Sequence, residues 1–193
     1  MKILVTGANG YLGQGIVKQI LDNGHEVIAT DFKVGYIDQK AKVMPGDLFS
    51  VDDPYEYFEE PDAILHLAWR DGFVHYSNTH IYDLPKHFLF LKKLAESGIK
   101  QISVMGSMHE IGFFEGSINE GTPCHPTTPY GIGKNALRDL TDMLCKQNNI
   151  VFQWLRGYYI VGNSDYGSSI FSKIVAAAEA GKHEFPFTLG QNQ

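Results

Sequence analysis

A chain of 193 residues, 44% hydrophobic and 20% charged, holds enough apolar material for one compact domain with a small appendage. Its net charge of −6 excludes the basic footprint of a nucleic-acid or membrane-surface binder, so no nucleic acid and no membrane is expected as a partner. Cys124 and Cys145 form no metal-type or redox-type pair, and no stretch reaches the length of a signal-peptide core or membrane span. Reduced thiols and a cytoplasmic protein are the expectation.

The apolar pattern alternates between strand and helix. Lys2–Thr6 reads as a buried strand, and Tyr11–Asn23 as a helix with Leu12, Ile16 and Ile20 on one face, closed by Asn23-Gly24. Glu26–Asp31 is a second strand, Ala41–Met44 a short third, and Val51–Phe58 a weak helix. Ala63–Ala68 is another strand, separated by an irregular stretch from a helix over Leu84–Ser97. A strand at Gln101–Met105, a helix at Pro129–Asn148, a strand at Ile150–Leu155 and a helix at Ser168–Gly181 follow. A strand-like piece, Glu184–Leu189, ends the series without an evident partner. Such alternation points to the α/β class, a doubly wound parallel sheet of the Rossmann type covered on both faces. Residues 1–162 are expected to form a dinucleotide-binding domain, and 163–193 the start of a small C-terminal substrate-binding segment.

Between the first strand and first helix lies Gly7-Ala8-Asn9-Gly10-Tyr11-Leu12-Gly13. Glycine permits the tight turn and lets backbone amides, those around Asn9, Gly10, Tyr11 and Leu12, approach a pyrophosphate on the helix N-terminus. The last glycine, Gly13, allows close helix–sheet packing. Asp31 ends the second strand at the distance suited to a ribose, and a carboxylate there accepts from both hydroxyls of NAD while repelling a 2′-phosphate. NAD is therefore the expected cofactor, with nearby Lys33 leaving NADP open.

The glycine spacing is Gly-x-x-Gly-x-x-Gly, and further elements follow in order: Gly46-Asp47-Leu48, His66-Leu67-Ala68, Ser107, Pro129 before Tyr130-Gly131-Ile132-Gly133-Lys134, then Leu155-Arg156 and Val161-Gly162. Together they resemble the extended short-chain dehydrogenase/reductase family, the nicotinamide-dependent epimerases and dehydratases that modify nucleotide sugars. The resemblance implies that Ser107, Tyr130 and Lys134 are catalytic. Ser107 would hydrogen-bond the reacting oxygen, Tyr130 would move its proton, and Tyr130 and Lys134 would also meet the cofactor. It further implies that Asp47 and Leu48 lie at the adenine, and that Leu67 and Ala68 pass the cofactor. A small-molecule substrate, a nucleotide sugar, and a homodimer paired through helices such as the one bearing Phe88 and Phe90 are implied as well.

The physics of these positions is independent of the resemblance. Tyr130 and Lys134 are one helical turn apart and share a face, where a nearby ammonium is expected to lower the tyrosine pKa. Thr128 and Pro129 suit a helix start, whereas Gly131 and Gly133 each cost a helix about 1 kcal/mol, a cost explicable where backbone lies close to a ligand.

Several positions depart from the family pattern. Ile111 stands where a tyrosine precedes the glycine, Tyr159 where an asparagine follows Arg156, and Asp83-Leu84-Pro85-Lys86-His87 replaces an Asn-x-x-Gly-Thr-like stretch. Relatives also continue beyond position 193, so a shortened chain or a reduced C-terminal lobe is expected. Met108-His109 replaces the acidic pair of dehydratases, which disfavours dehydration, and the His109-Glu110 corner reads as structural. His75, His80, His87, His109 and His125 show no metal-ligand spacing, so no metal is expected. Cys124 is assigned to loop packing, and Trp69 and Arg70, near the cofactor cleft, receive no role. The reading is hydride transfer at a hydroxyl or ketone, of 4-epimerase or 4-keto reductase type. The alternative is a non-catalytic dinucleotide-binding sensor or regulatory module.

Overall fold

The structure, a computed structural model, describes residues 1–160 and 170–186. Its elements are β1 (Lys2–Thr6), α1 (Tyr11–Asp22), β2 (Glu26–Thr30), β3 (Lys42–Val43), α2 (Pro54–Tyr57), β4 (Ala63–His66), α3 (Thr79–Tyr82), α4 (Leu84–Ser97), β5 (Gln101–Ser107), α5 (Pro129–Asn148), β6 (Val151–Gly157) and α6 (Ile170–Glu179). Short 3-10 turns occupy Leu48–Ser50 and Met108–Glu110.

Leu4 and Val5 are both fully buried although neighbouring strand residues face opposite sides, which requires a sheet covered on both faces. The six strands lie all parallel in the order β3-β2-β1-β4-β5-β6, flanked by helices as in a Rossmann fold. On one face Leu4, Ile64, Ile102 and Val104 pack with Leu91 and Leu94 of α4 and Leu137 and Leu144 of α5. On the other, Val5, Val27, Ala29 and Leu65 pack with Val17 of α1. Strand order reverses beside β1, where Thr6 stands level with Thr30 of β2 and His66 of β4. In such sheets the crevice at this reversal, outside the carboxyl ends of the strands, is where ligands bind.

The expected elements are present with altered limits. β5 runs on to Ser107, so this residue ends the strand rather than following it. The weak helix over 51–58 is shortened to α2, which opens on Pro54 and is capped by Asp53, and a separate 3-10 turn precedes it, capped by Asp47 accepting from the Phe49 N–H. The single-turn α3 has too few residues to show a helical period. Val161-Gly162, Ser168 and residues 187–189 lie outside the described residues, and 184–186 form no regular element. The chain divides into two units, Met1–Arg156 and Gly157–Gln193, the second containing α6. No described helix is long and apolar enough to cross a membrane.

Leu91 is wholly buried and Leu89 half exposed on the same helix. Leu91→Ala should cost about 2–5 kcal/mol by urea denaturation, whereas Leu89→Ala should change stability by less than about 0.5 kcal/mol. Equal effects would show that the α4 face has been assigned wrongly.

Candidate active site

At the carboxyl end of β1 the chain turns so tightly that Gly7 adopts φ +67°, and a Cβ on it would lie 2.7 Å from the Ala68 nitrogen. A Cβ on Gly13 would lie 2.4 Å from the Gly7 carbonyl oxygen. Only glycine fits either place, and α1 is thereby drawn against the turn. Gly10, the N-cap of α1, offers no side chain to the helix amides, and no acidic residue stands in the first turn. The amides of Tyr11 and Leu12 are left for an anion. Asp31 reaches across from β2, accepting from the Asn9 N–H (3.1 Å) and the Phe32 N–H (2.7 Å), while Asn9 Oδ1 accepts from the Tyr36 N–H. Asp47 and Leu48 line a groove of about 550 Å³ with Thr30 and Gly46. Anion-ready amides, a carboxylate at the second strand and a groove beyond it fit the pyrophosphate, ribose and adenine of a dinucleotide.

Ser107 and Tyr130 meet at the ends of β5 and α5. Thr128 caps α5 by accepting from the Gly131 N–H, and Tyr130 follows in its first turn. Burial raises the Tyr130 pKa, opposed by its hydrogen bond to Ser107. The expected lowering by Lys134 is not found. Lys134 is buried, its Nζ donates to the Met105 carbonyl (2.7 Å), and it sits 4.1 Å from the centre of the Trp69 ring. Desolvation brings its pKa down to about 7, partly offset by Glu110, so much of the cationic charge that would stabilise a phenolate is absent at neutral pH.

Gly131 and Gly133 also have a different reason from the expected ligand approach. A Cβ on Gly131 would lie 2.3 Å from the His109 carbonyl oxygen, and one on Gly133 2.9 Å from that of His80. The glycines let α5 lie against the protein's own backbone, and this sets Tyr130 among aromatic rings.

Those rings are the part that sequence reasoning missed. Trp69, left without a role above, stacks on His87 at 4.5 Å, and its Nε1–H donates to His80 Nδ1. Because indole only donates, the His80 proton sits on Nε2, which donates to the Val74 carbonyl. His66 Nε2 shares a 2.8 Å hydrogen bond with His87 Nδ1, and His66 Nδ1 shares one with Thr6 Oγ1, which also accepts from the Ala68 N–H. Burial holds His66 well below the ordinary histidine range, and it holds His87 at about 3 with Lys134 adding to the effect. His75 and His109 pack against Tyr130 itself. Among the described residues no group of three or more His, Cys, Asp or Glu is arranged to hold a metal. A Trp-Arg pair shortly after a strand end, with His80 and His87 seven residues apart in the segment that follows, was the available signal.

Glu110 is fully buried. It accepts from the Ser107 N–H (2.6 Å), Trp154 Nε1 and Arg156 Nε, closing a capping box that fixes the end of β5. Cys124 accepts from Arg138 and, at 3.5 Å, from Arg156. Asp83, in the departing stretch, is buried between Arg70 and Lys86.

A glycine turn, a carboxylate just past β2 and a tyrosine beside a serine, one helical turn from a buried lysine, stand at the carboxyl ends of the strands of an α/β fold. The chain belongs to the NAD dependent epimerase/dehydratase family, whose profile matches residues 3–193. It is 41% identical over 197 residues to dTDP-6-deoxy-L-talose 4-dehydrogenase (NAD(+)) of Aggregatibacter actinomycetemcomitans, covering 99% of this chain and 73% of that protein. It is 26% identical to UDP-glucose 4-epimerase of Lactobacillus helveticus, covering 87% of this chain and 54% of that one. The fold matches UDP-glucose 4-epimerase of Thermotoga maritima, solved with UDP-glucose, with a TM-score of 0.84 and 20% identity over 99% of this chain and 67% of that one. UDP-glucuronic acid 4-epimerase of Bacillus cereus, solved with NAD, gives 0.76 and 19% over 94% and 65%.

Between about pH 7 and the ordinary lysine value of 10.5, the unfolded chain holds a proton at Lys134 that the folded chain has lost. Stability at this residue therefore rises with pH across that window, by on the order of 1 kcal/mol per pH unit. Urea denaturation of Lys134→Met between pH 7 and 9.5 should show that slope removed; an unchanged slope would place the depressed group elsewhere.

Proposed function

We propose that this chain forms the dinucleotide-binding and catalytic part of an NAD-dependent oxidoreductase that interconverts a hydroxyl and a ketone at C4 of a nucleotide-linked deoxysugar. The observation that carries the reading is the placement of Tyr130 and Ser107 together at the ends of α5 and β5, one helical turn from a lysine buried among aromatic rings. In this reading the amides of Gly7–Gly13, with Asn9, Gly10, Tyr11 and Leu12, cradle the pyrophosphate. Asp31 takes the adenosine ribose, Asp47 and Leu48 the adenine, and Leu67, Ala68, Tyr130 and Lys134 the nicotinamide end. Bound NAD+ supplies the hydride acceptor and a positive charge. Tyr130 takes the proton of the substrate hydroxyl, Ser107 orients that oxygen, and Lys134 holds positive potential beneath them.

Two chemistries are open to this apparatus, and 41% identity over nearly the whole chain to an NAD+-dependent 4-dehydrogenase favours net oxidation or reduction over epimerisation. A sensor without turnover has no use for the Tyr130–Ser107 pair. The free cysteines suit a reducing, cytoplasmic location. Exposed Leu89 on α4 and Ile132 and Met143 on α5 suit a homodimer formed through these helices.

Tyr130→Phe should lower kcat by about 10²–10⁴-fold, the range for a positioned acid–base group, while NAD still binds as in the parent protein. Turnover that survives the replacement would remove the support for this chemistry. Asp31→Ala should weaken NAD binding and narrow the preference over NADP, measured by titration calorimetry with both dinucleotides; an unchanged preference would show that Asp31 does not read the ribose.

A further inference from the structure

Oxidation of an alcohol by NAD+ sends a hydride to the nicotinamide and frees one proton from the hydroxyl oxygen. An epimerase gives that proton back within the same cycle, but a dehydrogenase must export one per turnover. Ser107 is buried and Tyr130 is half-buried beneath neighbouring rings, so the exported proton leaves past the groups packed on Tyr130.

We propose that His75 and His109 form that route, relaying the proton of Tyr130 to solvent. The inference rests on the dehydrogenase reading above. The two imidazoles are in contact, with ring centres 4.0 Å apart, and each also packs on the Tyr130 ring, at 5.2 Å for His75 and 5.6 Å for His109.

Both rings are fixed relative to the reacting pair through the backbone. The His109 N–H donates to Ser107 Oγ at 3.3 Å, and the Tyr130 N–H donates to the His75 carbonyl at 3.1 Å. His75 sits on a braced loop: the hydroxyls of Ser77 and Thr79 both donate to Asp71 Oδ2, and His80 Nε2 donates to the Val74 carbonyl.

These two histidines differ from the other three in the cluster. His66, His80 and His87 are buried, with ring nitrogens engaged by Thr6, Trp69, the Val74 carbonyl or each other. Those rings are committed to structure. His75 and His109 are half-buried, and their ring nitrogens make no hydrogen bond to any described residue. Imidazole can accept a proton on one nitrogen and release one from the other, and its ordinary pKa near neutrality suits both steps. Burial and the neighbouring His75 lower the His109 pKa. The other ionisable groups nearby are His80 from α3, which is locked in a neutral tautomer, and Glu110, which is committed to Ser107, Trp154 and Arg156. The Met108-His109 pair, where dehydratase relatives carry two acids, thus acquires a purpose in proton export.

Two measurements on the full chain test the relay. Exchange of the Tyr130 hydroxyl proton with water, read by NMR on ring-labelled tyrosine and assigned with Tyr130→Phe, needs no substrate. It should slow about tenfold or more in His75→Phe and His109→Phe and recover when imidazole is added to the buffer. Steady-state NADH production from a dTDP-linked 6-deoxysugar should fall and recover in parallel in the same variants. Exchange that is unchanged in both variants, or a loss that imidazole does not restore, overturns the relay. A parent protein that makes no NADH while its exchange depends on both histidines overturns the dehydrogenase reading and leaves the relay standing.

Discussion

The backbone of Gly7 lies against that of Ala68 so closely that no side chain fits between them. This contact joins the carboxyl ends of β1 and β4, at the point where strand order reverses. Thr6, one residue before the glycine, accepts from the Ala68 N–H and holds His66; His66 holds His87; His87 backs Trp69; and the face of Trp69 lies over the Lys134 ammonium. The glycine turn and the electrostatic surroundings of Lys134 and Tyr130 are therefore built on one packed strand junction. A change at position 7 or 68 should be felt at position 134.

Charge is handled economically around that junction. Among the described residues no carboxylate is paired with the Lys134 ammonium, which is held by one carbonyl and one aromatic face, and burial keeps His66 and His87 behind it neutral. Without cofactor, burial favours the uncharged forms of both Lys134 and Tyr130. A positive charge brought to the site lowers the cost of a phenolate, and a phenolate in turn favours a charged lysine. In the proposed reading, binding of an oxidised nicotinamide and deprotonation of Tyr130 reinforce one another.

Much of this was legible in the residue order because it depends on local rules. Alternating apolar strands and amphipathic helices gave the sheet; Leu84–Ser97 and Pro129–Asn148 were placed to the residue because proline and the apolar period mark them clearly. The glycine turn was legible because backbone geometry demands glycine at Gly7 and Gly13. The histidine–tryptophan cluster was not. His66, His87, Trp69 and Lys134 come from β4, α4, the loop between and α5, and only the crossover connections bring them together. The expected lowering of the Tyr130 pKa failed for the same reason: helical spacing puts Lys134 beside Tyr130, but the desolvation that dominates both groups depends on what else fills the space. At Gly131 and Gly133 the close neighbour is the protein's own backbone, which looks the same in sequence as a close ligand.

The most direct test of the account follows one hydrogen. A dTDP-linked 6-deoxysugar carrying deuterium at C4 would be incubated with the protein and NAD+, and the products analysed by mass spectrometry. Net dehydrogenation predicts one deuterium in NADH for each 4-keto sugar formed. Deuterium that stays on the sugar at C4, with no NADH accumulating, would contradict it.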